Sequence, residues 1–332
     1  MISVDSREVE RKVLAILRVL RDSSEPLGGR IISRRLSDIG IDLGERAVRY
    51  HLRIMDEKGL TQSAGERDGR SITRRGAEEL ESALVSDRVG LVVAKIELLA
   101  YRTSFNMEQL TGEVPIDTSL FPEKEFGRAL EAMKHAFGAG LCVSELVAVA
   151  REGEKLGDVM VPQGRKGLAS IDSIAVSGAL LKAGIPLDSK FAGILQIRNG
   201  KPLRFTDLIA FSGCSLDPAE VFVASRMTRV SDAARTGEGK VIASLCEFPA
   251  PCAPAVKDMT ERLREAGITG VAALGKRGEP ICEVPVGSNY IGMILYGGLN
   301  PAAAAAEAGI DVVNYAMSGT IDYRRLKKVR EL

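Results

Sequence analysis

The stretch Gly44–Leu60, GERAVRYHLRIMDEKGL, carries two opposite stripes of side chains at helical spacing. Val48, Leu52 and Met55 recur every three or four residues, which places them on one face of a helix that packs against a core. The opposite face carries, at the same spacing, Arg46, Arg49, Tyr50 and Arg53. Any surface helix needs a polar face, so this pattern alone fits simple solvation as well as a binding surface. The flanking sequence decides between the two.

Two further helices precede this stretch, and a short hairpin follows it. Arg7–Arg21 and about Arg30–Ile39 each show one apolar stripe at helical spacing. The tetrapeptide IDLG leaves room only for a tight turn before the next helix, which predicts a helix-turn-helix. After Gly59, LTQSAGERDGRSIT contains two strand-like pieces around Asp68-Gly69, a hairpin turn signal. The segment TRRGAEELESAL then returns to helix.

This segment is basic, although the whole chain is not. The 332 residues include 45 Lys plus Arg and 44 Asp plus Glu, so overall charge indicates no class of partner. From Arg46 to Arg75 there are eight Arg or Lys against four acids, a net charge of +4. VRYHLRIMDEKGL with RDGRSITRRGAEEL resembles the winged helix-turn-helix family, in which a helix enters the major groove of DNA and arginines contact guanine or phosphates.

We therefore predict a winged helix-turn-helix DNA-binding domain over residues 1–82. Its predicted DNA contacts are Arg46, Arg49, Tyr50, Arg53, Arg67 and Arg70. Some winged helices bind only proteins, so a co-regulator acting through protein contacts is the alternative.

Composition argues against several other classes of protein. No signal peptide is visible, and no run approaches the roughly 18 apolar residues needed to cross a bilayer. The five cysteines form no CxxC pair, which is typical of reduced cytosolic thiols. Only two histidines are present, at positions 51 and 135, which argues against a zinc site. The sequence predicts a cytoplasmic protein without a metal site or a membrane partner.

From about residue 87 the chain repeats itself at an offset of about 125 residues. TGEVPIDTSLFP begins at Thr111, and TGEGKVIASLCEFP begins at Thr236. Segments ending in VPQG and VPVG, and then KAGIPLDSKFAGILQI and EAGIDVVNYAMSGTI, recur in the same order. We predict an α+β protein whose winged helix precedes one α/β effector and dimerisation domain, residues 87–332. Its two similar halves, about 87–212 and 213–332, are related by a pseudo-twofold. Each half should run helix, hairpin, helix, strand, strand, glycine loop, helix, strand.

The two glycine loops, Val161–Ser173 and Val284–Gly298, are candidate ligand contacts. A cleft between related halves is a common site for a small ligand, and glycine lets backbone amides approach it closely. Free amides at the start of the next helix, with Ser173 or Asp172 as its cap, favour an anion. A solvated turn fits the same loops. The candidate effector-binding residues are Gly164, Arg165, Lys166, Ser170, Asp172, Ser173, Gly287, Ser288 and Asn289.

The chain as a whole resembles the archaeal nitrogen regulatory repressor family, NrpR. The resemblance rests on KAGIPLDSKFAGILQI, on RFTDLIAFSGCSLDPAEVF with the MTRVSDAARTGEG that follows, and on ILYGGLNPAAAAAEAGIDV. It implies a homodimeric repressor that binds inverted-repeat operators before nitrogen-assimilation genes and that 2-oxoglutarate, its effector, releases from DNA. Family members with one effector domain act with a companion repressor, which the resemblance implies as a partner together with general transcription factors. No cofactor is implied.

The first loop departs from the family pattern, because SIDS stands where a TVCS-like stretch is expected. The Asp172 carboxylate would repel a dianion by roughly 1 kcal/mol or more. Three alternatives follow: the ligand sits elsewhere, Asp172 pairs with Arg165 or Lys166, or a partner does the sensing. An enzyme fused to a DNA-binding head is a further alternative. Since the sequence shows no nucleophile–base signature, we predict a protein that is not an enzyme.

Overall fold

The computed structural model describes residues 4–23, 25–63, 69–81 and 90–332. The chain divides into two compact units, Met1–Arg88 and Val89–Leu332. Two sequence predictions, the DNA contact Arg67 and the turn residue Asp68, lie outside the described residues. Within the described ranges, no helix is both long and apolar enough to cross a membrane.

The first unit consists of helices and one short hairpin. Its elements are α1 (Val4–Arg21), α2 (Gly29–Asp38), α3 (Glu45–Glu57), β1 (Thr61–Ser63), β2 (Arg70–Ile72) and α4 (Arg74–Glu81). Val48, Leu52 and Met55 of α3 are buried in the core of this unit, as their spacing predicts. The predicted helices and the antiparallel pairing of β1 with β2 are confirmed.

The wing depends on Gly69, at the start of its second strand. Gly69 has a left-handed φ of +88°, and a methyl group there would lie 2.7 Å from the Leu27 carbonyl oxygen. Only glycine accommodates both conditions without strain. Leu27 in turn exchanges two backbone hydrogen bonds with Arg70, of 2.9 and 3.0 Å. The chain before α2 therefore joins the hairpin as a third extended segment.

The second unit contains two five-stranded antiparallel sheets and seven helices within its described residues 90–332. The helices are α5 (Leu91–Arg102), α6 (Phe126–Gly138), α7 (Ile174–Lys182), α8 (Pro218–Ala224), α9 (Val230–Thr236), α10 (Ala253–Glu265) and α11 (Asn300–Glu307). The strands are β3 (Glu113–Pro122), β4 (Leu146–Ala150), β5 (Lys155–Leu156), β6 (Val159–Met160), β7 (Arg165–Ile171), β8 (Asp188–Arg198), β9 (Lys201–Ala210), β10 (Gly239–Pro249), β11 (Val271–Leu274), β12 (Tyr290–Tyr296), β13 (Val313–Asp322) and β14 (Lys327–Lys328).

Four strands of each sheet follow the same order, and each sheet takes two strands from the other half of the sequence. One sheet runs β13-β3-β7-β4-β14 and the other β11-β12-β10-β8-β9. The strand that follows α7, β8, pairs with β10, whereas its counterpart after α11, β13, pairs with β3. The helix before β13, α11, also crosses to the first repeat, where it packs on α6. The duplication is thus visible as two similar sheets, but the halves of the sequence are not the halves of the structure.

The hairpin predicted after the first helix of each repeat is wrong. Each region forms one long strand, β3 or β10. Every residue from Val114 to Phe121 in β3 is buried, because this strand lies inside its sheet. In the first repeat the chain bends at Thr111-Gly112, before the strand. Gly112 has a left-handed φ of +99° and lies against the Ser104 carbonyl.

The two predicted glycine loops are also largely wrong, because they contain the strands β7 and β12. Gly167 and Gly292, which lie within these strands, pack against neighbouring side chains. A methyl group on Gly167 would lie 2.9 Å from the side chains of Leu156 and Val161, and one on Gly292 would lie 2.7 Å from Ile281. Glycine is therefore required where neighbouring side chains cross the strand.

Candidate nucleic-acid interface and ligand cleft

The outer face of α3 presents two arginines that solvent reaches freely. The side chains of Arg49 and Arg53 are 71% and 72% exposed. Arg49 Nη2 donates a hydrogen bond of 2.6 Å to Glu45 Oε1, and Arg53 Nε lies 4.0 Å from Glu57 Oε1. Exposed ion pairs of this kind contribute little to stability. Both guanidinium groups can therefore exchange these partners for phosphates or base edges.

The other predicted DNA contacts differ in their surroundings. Arg46 and Tyr50 are exposed on the same face of α3. Arg70 is half-buried, and its Nε donates a hydrogen bond of 2.9 Å to Asp56 Oδ2. The Thr61 hydroxyl donates to the other oxygen of the same carboxylate at 2.5 Å. This network ties β2 to the end of α3. Arg70 thus holds the wing in place, a role that its position in a basic segment did not indicate.

The nine candidate effector residues do not form one cluster, because β7 runs between them. Gly164 and Arg165 lie at its start and Asp172 follows its end, about 20 Å apart at the usual rise of a strand. Arg165 Nη2 pairs with Asp311 Oδ2 at 2.5 Å. Lys166 Nζ lies 4.5 Å from the centre of the Phe126 ring. The alternative in which either cation pairs with Asp172 is therefore wrong.

The three candidates from the second loop lie before β12, at the far end of that strand from the segment Gly297–Gly298. Gly287 N donates to Glu247 Oε1 at 3.3 Å, and Arg277 donates to the Asn289 side chain at 2.8 Å. Ser288 lies in the turn between them. These contacts join neighbouring segments at the start of β12.

A cleft opens where Asp172 meets the exchanged strand β13. The free space between its lining atoms, counted out into open solvent, is about 570 Å³. Of the nine candidates, Asp172 and Ser173 line it, and Ser170 lies beside it with its hydroxyl bonded to the Gly298 carbonyl at 2.9 Å. The apolar part of the lining comprises Ile96, Ile174, Phe211, Ile242, Leu295 and Met317. Among the described residues, no group of three or more His, Cys, Asp or Glu is arranged to hold a metal ion.

The polar lining of the cleft is acidic, and Asp117 is its most buried member. Asp117 Oδ1 accepts a hydrogen bond of 2.8 Å from the Met317 amide, and Asp172 Oδ1 accepts one of 2.6 Å from the Ile174 amide. Asp172 is therefore the predicted cap of α7, whereas the Ser173 side chain makes no capping bond. Burial, and then the charge of Asp172, raises the pKa of Asp117 well above its usual value.

A further carboxyl group, Asp217 at the start of α8, lines the cleft, and Glu220 of the same helix binds β13. Asp217 caps this helix by accepting hydrogen bonds from the Ala219 and Glu220 amides at 2.8 and 3.3 Å. Burial raises the pKa of Asp217 to about 7, with smaller contributions from the charges of Glu220 and Asp172. Glu220 accepts a 2.7 Å hydrogen bond from the Ala316 amide, and burial raises its pKa as well.

The acidic pair exists because the two repeats differ at equivalent positions. The offset between the first residues of α7 and α11 relates Asp117 to Ala243 and Asp172 to Gly298. A methyl group on Gly298 would lie 2.2 Å from Asp117 Oδ2. The Asp117 carboxyl of the first repeat therefore occupies the space that a side chain at Gly298 of the second repeat would need. Asp117 was missed in the sequence. The available signal was one Asp within VPIDTSLFP where the second copy, KVIASLCEFP, has Ala.

Known proteins are similar in sequence to both units. Residues 89–328 match the family model of the NrpR regulatory domains NRD1 and 2. The global nitrogen regulator NrpRI of Methanosarcina mazei is 36% identical over 322 residues, which cover 97% of this chain and 99% of that protein. The chain belongs to the NrpR family. The resemblance stated from the sequence is thus confirmed.

Other relatives extend the match. Residues 14–80 match a model of the ribonuclease R winged-helix domain, which confirms the winged helix. The global nitrogen regulators NrpR of Methanococcus maripaludis and Methanocaldococcus jannaschii are 32% and 29% identical over 89% and 98% of this chain. The chain spans 51% and 56% of their lengths, about half of each.

A solved structure is similar to the NrpR regulatory unit. The crystal structure of a nitrogen repressor-like protein from Methanococcus jannaschii superposes with a TM-score of 0.61 at 24% identity. The superposition covers 72% of this chain and 98% of that chain. At this identity the likeness concerns the fold alone.

Proposed function

We propose that this NrpR-family chain is a transcriptional repressor of nitrogen-assimilation genes that binds inverted-repeat operator DNA. The observation that carries the proposal is the exposed face of α3, where Arg46, Arg49, Tyr50 and Arg53 project from a winged helix. A helix of this kind fits the major groove, and its arginines can reach guanine edges or phosphates. The relatives are named as regulators, which supports a regulatory role over an enzymatic one.

We further propose that 2-oxoglutarate is the effector and that the cleft beside Asp117 and Asp172 is its site. The cleft replaces the glycine loops as the candidate, because Arg165 and Lys166 lie at the other end of β7. A protonated carboxyl can donate a hydrogen bond to a ligand carboxylate, and the raised pKa values of Asp117 and Asp217 favour protonation. The charge of Asp172 opposes a dianion, so the affinity for effector should be modest.

The test uses an operator chosen by the protein itself. Wild-type protein is first used to enrich binding sites from a pool of random duplexes, and an enriched inverted repeat serves as the operator. Its affinity is then measured with and without millimolar 2-oxoglutarate. A coupling typical of such systems would weaken binding about 5- to 150-fold. If no sequence is enriched, the repressor proposal fails. If affinity ignores 2-oxoglutarate, sensing moves to a companion repressor.

Asp172→Asn is expected to strengthen the response to 2-oxoglutarate by about fivefold. The change removes a charge worth roughly 1 kcal/mol against a dianion and keeps the oxygen that accepts from the Ile174 amide. The measurement is the 2-oxoglutarate concentration that releases half of the operator. An unchanged or weaker response would place the ligand outside this cleft.

Arg165→Ala is the matched control, and we expect it to leave both operator affinity and effector response unchanged. Its ion pair with Asp311 lies at the opposite end of β7 from the cleft. Because that pair is partly exposed, its loss should cost no more than about 1 kcal/mol in unfolding free energy. A blunted response in this variant would return the effector site to the loop before β7.

We also propose that the functional species is a homodimer. A single winged helix offers few contacts, and repressors solve this by matching two half-sites with a twofold axis. Light scattering of the full chain at micromolar concentration should give twice the mass of one 332-residue chain. A monomer at that concentration would contradict the proposal. General transcription factors would be partners of the DNA-bound dimer.

A further inference from the structure

Arg49 has two close contacts, which are tighter than those of the other arginines of α3. Its guanidinium group donates to Glu45 Oε1 at 2.6 Å, one helical turn earlier. Its aliphatic stem lies over the first residue of α2. A methyl group on Gly29 would lie 3.0 Å from Arg49 Cγ and 3.5 Å from Nε. The absence of a side chain at Gly29 therefore determines where the stem of Arg49 can lie.

The contacts of the neighbouring arginines are looser. Arg53 Nε is 4.0 Å from Glu57, whose side chain is 69% exposed, and the Arg53 guanidinium carbon lies 5.9 Å from the centre of the Tyr50 ring. Arg46 forms no ion pair with any residue in the described part of the winged helix. A phosphate accepts an arginine in many orientations, whereas two hydrogen bonds to a guanine edge require a fixed guanidinium plane. Preorientation therefore matters most for a side chain that reads a base.

We propose that Glu45 and Gly29 are positioning residues that preset Arg49 to read a base edge, while Arg46 and Arg53 contact phosphates. The inference rests on the proposed operator binding by α3. Glu45 also places a negative charge beside the DNA backbone, which weakens sequence-independent binding. The Glu45–Arg49 pair thus lowers the affinity for DNA of any sequence and increases the preference for the operator.

The experiment measures, at one salt concentration, affinities for the enriched operator and for a scrambled duplex of the same composition. Glu45→Ala is compared with its matched control Glu57→Ala, which removes the same charge from the same helix. Both should bind the scrambled duplex about 2- to 5-fold more tightly. Only Glu45→Ala should lower the ratio of operator to scrambled affinity, by about 3- to 10-fold. An unchanged ratio in Glu45→Ala would show that Glu45 does not position Arg49.

Gly29→Ala gives an independent test without any change of charge. Alanine suits the first turn of a helix, so the melting temperature should not fall, but its methyl group displaces the stem of Arg49. Affinity for the scrambled duplex should stay the same while the ratio falls about 3- to 10-fold. Retained discrimination in both Gly29→Ala and Glu45→Ala would refute positioning but leave operator binding intact. A wild-type protein that prefers no sequence would instead overturn the proposed function and this inference together.

Discussion

The Arg49→Ala/Arg53→Ala double variant is expected to bind the enriched operator about 100-fold more weakly than wild type, or worse. Arg49 contributes roughly 1–3 kcal/mol if it reads a base. The phosphate contact of Arg53 adds to this, and somewhat less than the sum is expected for side chains one turn apart. A loss of about 2.7 kcal/mol corresponds to 100-fold. Both side chains are more than two-thirds exposed, so the fold of the unit should not change.

Fluorescence anisotropy at fixed salt measures this loss, and a charge-matched variant controls for it. Arg128→Ala/Lys134→Ala removes two exposed positive charges from α6 of the second unit and should leave operator affinity within about twofold of wild type. The single variants separate the roles, since lost discrimination indicates a base contact and uniform weakening indicates a phosphate contact. A double variant that binds like wild type would show that α3 is not the reading helix.

The unfolding free energy of the second unit is expected to fall by about 2–3 kcal/mol between pH 5 and pH 8.5 through Asp217. Its folded pKa of about 7 lies above its ordinary value of 3.8. The folded state therefore holds a proton that the unfolded state releases, and the stabilisation present at low pH is lost as pH rises through 7. The lower figure allows for partial solvent exposure of Asp217. Asp117 shifts in the same direction.

Calorimetric unfolding of the full chain at several pH values tests this expectation. Asp217→Asn should remove the part of the pH dependence that centres near pH 7, because the amide oxygen can still cap α8 without titrating. The contributions of Asp117 and Glu220 should remain. Asp322→Asn is the control. Hydrogen bonds from Arg324 lower the pKa of Asp322 to about 2, so its contribution is constant above pH 5. If the unfolding free energy of the wild type stayed constant or rose from pH 5 to 8.5, the prediction would be contradicted.

The helices of the winged helix were predictable because each buries a single apolar stripe, as Val48, Leu52 and Met55 show. The partner of Arg70 was not, since Asp56 lies fourteen residues earlier on another element. The same limit applies to the cleft. Sequence spacing placed Arg165 near Asp172, but an extended strand of seven residues separates them. Local pattern predicts elements, whereas a site depends on which elements meet.

The strand exchange was beyond sequence reasoning for a related reason. The order of landmarks along the chain is identical whether β8 and β13 return to their own repeat or cross to the other. Only the pairing partner changes, as the register of β13 with β3 and of β8 with β10 shows. The periodicity of apolar residues indicates whether a strand is buried, but it does not indicate which strand it pairs with.

That exchange also constrains how the protein is made on the ribosome. Leu120 of β3 pairs with Val313 of β13, so the first sheet stays open until nearly the whole second repeat has been translated. At about 5–20 residues per second, this delay is on the order of ten seconds or more. Throughout it, an apolar strand edge lacks its partner, which is a hazard for association with other nascent chains. The two repeats therefore cannot mature one after the other; the regulatory unit is completed in a single late event.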